Sequence, residues 1–206
     1  MKPASPSSQS ARSAPGFVRI IGGQWKRSKL PVPARPGLRP TPDRVRETLF
    51  NWLGQDLTGL RCLDAFAGSG ALGFEAASRG AAEVLLCELD PGLVAGLRAN
   101  IERLHAHQIR VQRGDAITAL KGAPRAAWDL VFLDPPFGDG GNEALFAQAL
   151  QAAAALLAPQ GAIYLEAPRA WSDEALLALG LRCRRHGKAG MVHYHLLEAV
   201  PRPEVG

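Results

Sequence analysis

The tetrapeptide Asp134-Pro135-Pro136-Phe137 brings together residue types that suit chemistry on an amino group. The aspartate carboxylate and the proline carbonyls can accept hydrogen bonds from N–H donors, and the phenylalanine ring can stack on a flat heterocycle. Two successive prolines cannot continue a strand's hydrogen-bond ladder, so the chain must turn here. Because the apolar run 128–133 predicts a buried strand, this turn lies at a strand's carboxyl end, where open α/β sheets bind ligands. Taken alone, the tetrapeptide equally fits a surface turn with a buried phenylalanine.

A second motif, residues 63–73, reads as a strand, a glycine turn and the start of a helix. Its glycines, Gly68, Gly70 and Gly73, allow a tight turn and a close approach of the backbone to a ligand. They also match the dinucleotide pattern G-x-G-x-x-G, and Glu88 follows at the spacing of a ribose contact. A nicotinamide-dependent oxidoreductase is therefore a serious alternative.

The acid at position 64 bears on which cofactor this turn would bind. Asp64 precedes the first glycine by four residues, close to where a ligand must pass. A carboxylate there would repel the pyrophosphate of a dinucleotide, but it would attract the ammonium and sulfonium groups of S-adenosylmethionine. The sequence therefore favours S-adenosylmethionine, with the dinucleotide kept as the alternative.

Together, the two motifs resemble those of class I S-adenosylmethionine-dependent amino-methyltransferases. Three longer stretches are similar, more specifically, to the bacterial 16S ribosomal RNA guanine-N2 methyltransferases (RsmD-type); they are residues 19–26, 37–53 and 62–73. The resemblance covers about residues 17–198. One departure is Pro42, where we expect Thr or Asn in relatives.

This resemblance implies a cofactor role for acids at the ends of successive predicted strands. The implied cofactor-binding residues are Asp64, Phe66, Gly68, Gly70, Glu88, Asp115 and Ala116. Asp64 would lie near the methionine end of the cofactor, and the two glycines would pass beneath it. Glu88 would hold the ribose hydroxyls, while Asp115 and the Ala116 amide would contact adenine.

The resemblance also implies the catalytic residues, Asp134, Pro135, Pro136 and Phe137. Asp134 and the Pro135 carbonyl would hold the guanine N2 amine with its lone pair towards the methyl group, and Phe137 would stack on the base. No metal is expected to take part.

Positive charge is concentrated at the front of the chain. Residues 1–46 contain ten Lys or Arg against one acid, Asp43, which is a net charge of +9; the other 160 residues carry −4. A basic segment on a slightly acidic body is typical of a protein that binds a polyanion. The predicted RNA-binding residues are Arg19, Lys26, Arg27, Lys29, Arg39 and Arg44, with 16S ribosomal RNA or the small ribosomal subunit as partner.

Alternating strand and helix signals predict a Rossmann-like α/β fold: a mostly parallel, seven-stranded sheet with an antiparallel C-terminal hairpin. The predicted strands are 60–66, 83–88, 109–112, 128–134, 162–166, 182–188 and 191–198. Thr41-Pro42-Asp43 reads as a capped helix start, and residues 159–161 read as a turn. The predicted division is a disordered tail at 1–16, a basic arm and leading helix at 17–53, a methyltransferase domain at 54–200 and a tail at 201–206.

The composition argues against several other classes of protein. No run of 18 apolar residues occurs, so we expect no membrane helix, and the first 16 residues lack the apolar segment of a secretory signal. Three cysteines without C-x-x-C spacing argue against disulfides and zinc and suit a reducing cytoplasm. We also expect a monomer.

Two further alternatives stay open. DNA amino-methyltransferases and protein-glutamine amide methyltransferases also use Asp/Asn-Pro-Pro-aromatic turns, although 206 residues leave little room for a DNA-recognition region. An RNA-binding protein with an inactive Rossmann domain is the third class, and the intact Asp-Pro-Pro-Phe turn argues against it.

Overall fold

The structure, a computed structural model, describes residues 16–33, 35, 40–137 and 142–200. The predicted tails at 1–16 and 201–206 lie outside these residues, except Gly16, which begins the first strand. Along the described chain the elements are β1 (Gly16–Arg19), β2 (Lys29–Val32), α1 (Asp43–Trp52), β3 (Arg61–Asp64), α2 (Ala71–Ser78), β4 (Glu83–Glu88), α3 (Pro91–Leu104), β5 (Ile109–Arg113), α4 (Ala116–Gly122), β6 (Trp128–Leu133), α5 (Glu143–Ala154), β7 (Leu157–Ala167), α6 (Asp173–Ala178), β8 (Leu181–Ala189) and β9 (Val192–Ala199).

The main sheet has seven strands in the order β5-β4-β3-β6-β7-β9-β8. The first five of these pair in parallel, and β9 runs antiparallel to both β7 and β8. The predicted fold is therefore confirmed. The chain moves outwards from β3 to β5 and then returns to place β6 on the other side of β3. This reversal creates a crevice between the carboxyl ends of β3 and β6, which is where such sheets bind ligands.

Helices cover both faces of the sheet, as its apolar strands require. One apolar cluster joins β1, β2, α1 and α2 to one face of the sheet, and a second joins α4, α5 and α6 to the other. Among the residues described, no helix is long and apolar enough to cross a membrane.

The arm (residues 17–40, of which 34 and 36–39 lie outside the described ranges) contains an antiparallel strand pair. The sequence predicts its first strand, at residues 17–21, and does not reveal the second. β1 and β2 pair in register, Phe17 with Pro31 and Val18 with Leu30. Val18 and Leu30 are buried, so the alternation of buried and exposed residues packs the arm into the core. Pro31 obscured this strand, because proline is tolerated in strands mainly at edges.

A fully buried carboxylate, that of Glu75 in α2, holds the arm in place. Its Oε2 accepts hydrogen bonds from the Ile21 N–H at 2.9 Å and from Arg46 Nη1 at 3.2 Å. Its Oε1 accepts from the Gly22 N–H at 2.8 Å and from Arg79 Nε at 3.0 Å. Four donors thus compensate one buried charge, which is the condition under which burial of a charge is tolerated.

The end of α2 provides a second attachment for the arm. Ser78 Oγ donates to the Gly22 carbonyl at 2.6 Å and accepts from the Trp25 N–H at 3.0 Å, and the Ser78 carbonyl accepts from Gln24. Gly23 has a φ of +70°, and a Cβ there would lie 1.8 Å from the Ser78 carbonyl oxygen. Only glycine permits this approach.

Three predicted details were wrong or incomplete. β7 begins at Leu157, because a register shift between Trp128 and Leu130 of β6 accommodates residues 159–161 within the strand. Thr41 does not cap α1; the N-cap position is Pro42, without a side-chain hydrogen bond, and the Thr41 hydroxyl is used elsewhere. The short helix α4 was not predicted.

We predict that Glu75→Gln lowers the free energy of unfolding by about 3–5 kcal/mol. It removes the carboxylate that neutralises the buried Arg79, and it leaves the buried Arg46 with Asp43 as its ion-pair partner among the described residues. Urea denaturation measures this directly. The control is Glu102→Gln on the exposed face of α3, which should change stability by less than about 0.5 kcal/mol. A loss below about 1 kcal/mol in Glu75→Gln would show that the network does not anchor the arm.

Candidate active site

The turn after β3 has the backbone conformation that its glycines were predicted to allow. Gly68 and Gly70 have φ values of +52° and +78°. A Cβ on Gly70 would lie 2.7 Å from side-chain carbons of Leu97 and Phe74. The turn is therefore restricted to glycine by both backbone conformation and packing. Phe66, also predicted to contact the cofactor, is half-buried at the start of this turn and packs against the α4–α6 side of the core.

Asp64 ends β3 directly beneath this turn and is only 2% exposed. Its Oδ2 accepts one hydrogen bond, from the Gly73 N–H at 3.2 Å. Burial raises the pKa of Asp64 to about 7, and the negative charge of Glu88 acts in the same direction. A carboxylate that is costly to ionise in the free protein is suited to a cationic ligand, which would restore its charge.

Glu88 ends β4 and fixes the neighbouring backbone. It accepts hydrogen bonds of 2.8 Å from the N–H groups of Gly68, Leu89 and Asp90. An ionised carboxylate has about four acceptor positions, so roughly one remains for a ribose hydroxyl. The predicted ribose contact stays a prediction, and Glu88 has in addition a role in shaping the glycine turn.

Asp115 and Ala116 lie at the start of α4, past the end of β5. The Asp115 carboxylate caps the helix by accepting from the N–H and the hydroxyl of Thr118, at 2.8 and 2.9 Å. These hydrogen bonds lower the pKa of Asp115. The Ala116 amide lies in the first turn, where N–H groups have no intrahelical acceptor. Leu89, which sequence reasoning missed, is 64% exposed next to Glu88 and offers an apolar surface there.

The predicted catalytic turn leaves β6 at its carboxyl end. Asp134 is partly buried, Pro135 is buried and Pro136 is exposed. Phe137 is half-buried and packs towards Phe146 of α5, with ring centroids 6.1 Å apart. The apolar packing of Phe137 accounts for part of its ring, and its stacking on a base stays a prediction.

Glu166 is a buried acid at the carboxyl end of β7 that sequence reasoning did not single out. It is 4% exposed, and its Oε1 accepts from the Thr41 hydroxyl at 2.7 Å and from the Tyr164 hydroxyl at 3.0 Å. The parallel pairing of Leu133 with Leu165 places it beside Asp134. The apolar run around Glu166 was the available signal, because an isolated acid in a buried strand requires a reason.

Asp64, Asp134 and Glu166 form an acidic cluster at the ends of β3, β6 and β7. Burial, followed by the charges of Glu166 and Asp64, raises the pKa of Asp134 well above its ordinary value. Within the described ranges, none of the three carboxylates belongs to an ion pair. This donor set fits the ammonium and sulfonium of S-adenosylmethionine better than it fits a pyrophosphate.

The predicted RNA-binding residues that the structure describes are exposed, and they lie on different elements. Lys26 and Arg27 lie on a turn that packs against the C-terminal end of α2, whereas the glycine turn lies at the N-terminal end of that helix. Arg44 lies in the first turn of α1, and Arg19, at the end of β1, pairs with Asp43 at 2.9 Å.

Lys29, Arg39 and Arg46 are the other basic residues of this segment that bear on RNA binding. Lys29 places its ammonium 4.2 Å from the Phe17 ring centroid, and Arg39 lies outside the described residues. Arg46, which contributes to the positive charge of the front segment, is fully buried against Glu75 and is not available to a polyanion.

Known proteins are similar to this chain in sequence and in fold. Residues 18–198 match the family described as conserved hypothetical protein 95. The chain is 53% identical over 130 residues to ribosomal RNA small subunit methyltransferase D of Escherichia coli (strain K12); the match covers 62% of this chain and 64% of that relative's length.

Solved structures extend the similarity over most of the chain. The Escherichia coli protein yhhF is 42% identical, with a TM-score of 0.75, covering 91% of this chain and all of that one. Precorrin-6y C5,15-methyltransferase from Geobacter metallireducens is 20% identical, with a TM-score of 0.59, covering 80% of this chain and 90% of that one. The latter likeness concerns the fold alone.

We predict that Asp64→Asn stabilises the free protein more at pH 8 than at pH 4. The difference between the two stabilisation free energies should reach up to about 4 kcal/mol, at about 1.36 kcal/mol per unit of pKa. The folded-state pKa of Asp64 is raised from 3.8 to about 7. Its contribution is therefore present below pH 4 and is lost as the pH rises through 7. Asparagine does not ionise and avoids this loss.

Chemical denaturation at both pH values provides the measurement. The control is Asp56→Asn, because hydrogen bonds from Thr58 lower the pKa of that exposed acid and its pH effect has the opposite sign. An equal effect of Asp64→Asn at both pH values would mean that Asp64 ionises normally.

Proposed function

The chain belongs to the conserved hypothetical protein 95 family, and from this premise we propose that it transfers a methyl group from S-adenosylmethionine to an exocyclic amine of ribosomal RNA. The specific proposal is the N2 amine of a guanine in 16S ribosomal RNA, within the small ribosomal subunit. The name of the Escherichia coli relative supports the substrate class. The acidic cluster at the reversal point of the sheet is the observation that carries the proposal.

The residues around the glycine turn provide the cofactor site. Asp64 would attract the cationic amino-acid end, and Gly68 and Gly70 would let the backbone pass close beneath the ligand. Glu88 would use its remaining acceptor position for a ribose hydroxyl, and the Ala116 amide would face adenine. When bound, S-adenosylmethionine supplies a methyl group made electrophilic by its positively charged sulfur. A dinucleotide would instead bring its pyrophosphate next to Asp64, which disfavours the oxidoreductase alternative.

Asp134 and the Pro135 carbonyl would hold the amine of the target base. An aromatic amine is a poor nucleophile because its lone pair conjugates with the ring. Two acceptors that bind its N–H groups favour a tetrahedral nitrogen and stabilise the positive charge that develops there. Alignment of the reacting groups can contribute roughly 7–11 kcal/mol in favourable cases. After transfer, the nitrogen is cationic and loses its proton to Asp134 or to water.

The arm and α1 would supply the affinity for RNA. The exposed basic residues on the 24–27 turn and near the start of α1 can contact phosphates at separated points, which orients a large substrate over the catalytic edge. We propose that the protein acts as a monomer in the cytoplasm, during ribosomal RNA processing. The DNA and protein-glutamine alternatives share the Asp134 chemistry. The basic arm argues against a protein substrate, and a chain of 206 residues leaves little room for a DNA-recognition region.

We predict that Asp134→Asn retains measurable methyl transfer and that Asp134→Ala loses nearly all of it, with cofactor binding intact in both. Asparagine keeps an acceptor oxygen, although a neutral acceptor is weaker than a carboxylate. A carboxylate, even one whose pKa is raised by burial as that of Asp134 is, is far too weak a base to deprotonate a neutral aromatic amine before attack, so orientation is the main role. Single-turnover transfer to small subunits from a strain lacking this protein measures both rates. Equal inactivity of both variants, with binding preserved, would require the charge itself.

We predict that replacing Lys26 and Arg27 together by alanine weakens RNA binding without changing affinity for S-adenosylmethionine. Each lost phosphate contact should reduce the slope of log affinity against log salt by about 0.7–0.9. Filter binding over a salt series measures the slope. Replacing Arg110 and Arg113 on the edge strand β5 serves as a charge-matched control. If both double variants behave alike, the arm has no specific role in RNA binding.

A further inference from the structure

Two carboxylates at the ends of neighbouring strands compete for one proton. Asp134 follows the last residue of β6, and Glu166 occupies the adjacent position on β7, since Leu133 and Leu165 pair in register. In an environment of low polarity, two adjacent carboxylates cannot both ionise easily. The pair must therefore be treated as one titrating unit.

The hydrogen bonds around the pair decide which carboxylate keeps the charge. Glu166 accepts from the hydroxyls of Thr41 and Tyr164, and such bonds favour its ionised form. No hydrogen bond within the described ranges reaches the Asp134 carboxylate. The charge therefore rests on Glu166, and the proton rests on Asp134.

The other titratable groups near the pair do not reverse this assignment. Asp64 faces Asp134 from β3, and its negative charge also favours protonation of Asp134. Tyr164 on β7 borders Glu166, and burial raises the pKa of its hydroxyl, so this side chain stays neutral at physiological pH. Tyr194 on β9 pairs with Glu166 in register. Among described residues, no Lys, Arg or His forms an ion pair with either carboxylate.

We propose that Glu166, held by Thr41 and Tyr164, is a positioning residue that sets the charge state of Asp134. The catalytic part of this inference rests on the proposed function. The effect of Glu166 on the ionisation of Asp134 is a property of the free protein and does not depend on that function. Thr41 comes from the entrance to α1, more than a hundred residues away in sequence, so the segment next to the arm contributes to the catalytic edge. When the cationic cofactor binds, the proton held on Asp134 would be released to water, and the Asp134 carboxylate would then accept a hydrogen bond from the amine.

Titration of the free protein tests the charge relation without any activity. The Asp134 carboxyl is observed by carbon-13 NMR in protein labelled at aspartate carboxyls, and its signal is assigned by its loss in Asp134→Asn. In Glu166→Gln, the titration midpoint of Asp134 should fall by about 1–2 pH units, because a neighbouring negative charge is removed. Glutamine keeps an acceptor oxygen for Thr41 and Tyr164, so the hydrogen bonds and the fold should persist.

The control is Glu198→Gln, which removes a carboxylate from β9 at the opposite end of its pairing with β7. Glu198 pairs with Ala162, four residues before Glu166, or roughly 13 Å at about 3.3 Å per residue. It should leave the Asp134 midpoint unchanged. An unchanged midpoint in Glu166→Gln as well would overturn the inference, even if thermal stability fell.

The pH profile of single-turnover methyl transfer gives the second readout. The acidic limb of the rate should move to lower pH in Glu166→Gln by the same interval as the NMR midpoint, and it should be absent in Asp134→Asn. If the limb does not move while the midpoint does, Glu166 does not act in catalysis and the positioning role is wrong. If the unchanged protein transfers no methyl group, the proposed function fails, and the NMR result still decides the charge relation.

Discussion

The buried carboxylate of Glu75 is the interaction on which the arrangement of the molecule depends. It lies in α2, the helix that begins at the glycine turn, and it binds the arm backbone at Ile21 and Gly22 together with Arg46 of α1. One side chain thus joins the arm, the leading helix and the helix next to the cofactor turn. Because an unpaired buried charge is strongly unfavourable, these three parts are held together as a unit. An arm attached in this way can orient a bound polymer relative to the catalytic edge.

The acidic cluster at the ends of β3, β6 and β7 lacks the compensation that Glu75 has. Glu75 is neutralised by two guanidinium groups, whereas Asp64, Asp134 and Glu166 share their surroundings without a cationic partner among the described residues. The protein is less stable for keeping these acids buried, and it gains a site whose charge is completed by a ligand. The two kinds of buried charge are therefore close neighbours: the compensated carboxylate of Glu75 lies within α2, and the uncompensated acids lie at the edge of the sheet.

Local patterns in the sequence predicted most of the sheet and the candidate cofactor turn. The motifs around Gly68 and Asp134 are contiguous, so their conformations follow from glycine and proline themselves. Glu166 and Thr41 were not predicted to meet, because their contact joins segments 125 residues apart and depends on the strand order. For the same reason Thr41 was assigned to a local helix cap, its commonest role. β2 and α4 were missed because each is short and has no strong periodic signal.

The most direct test of the central claim is the identity of the methylated product. Small ribosomal subunits from a strain lacking this protein are incubated with the purified protein and S-adenosylmethionine carrying a tritiated methyl group, and the RNA is then digested to nucleosides. We predict that the label appears in N2-methylguanosine of 16S ribosomal RNA and that Asp134→Ala abolishes it. Label in another nucleoside or in ribosomal protein, or no transfer at all, would contradict the account.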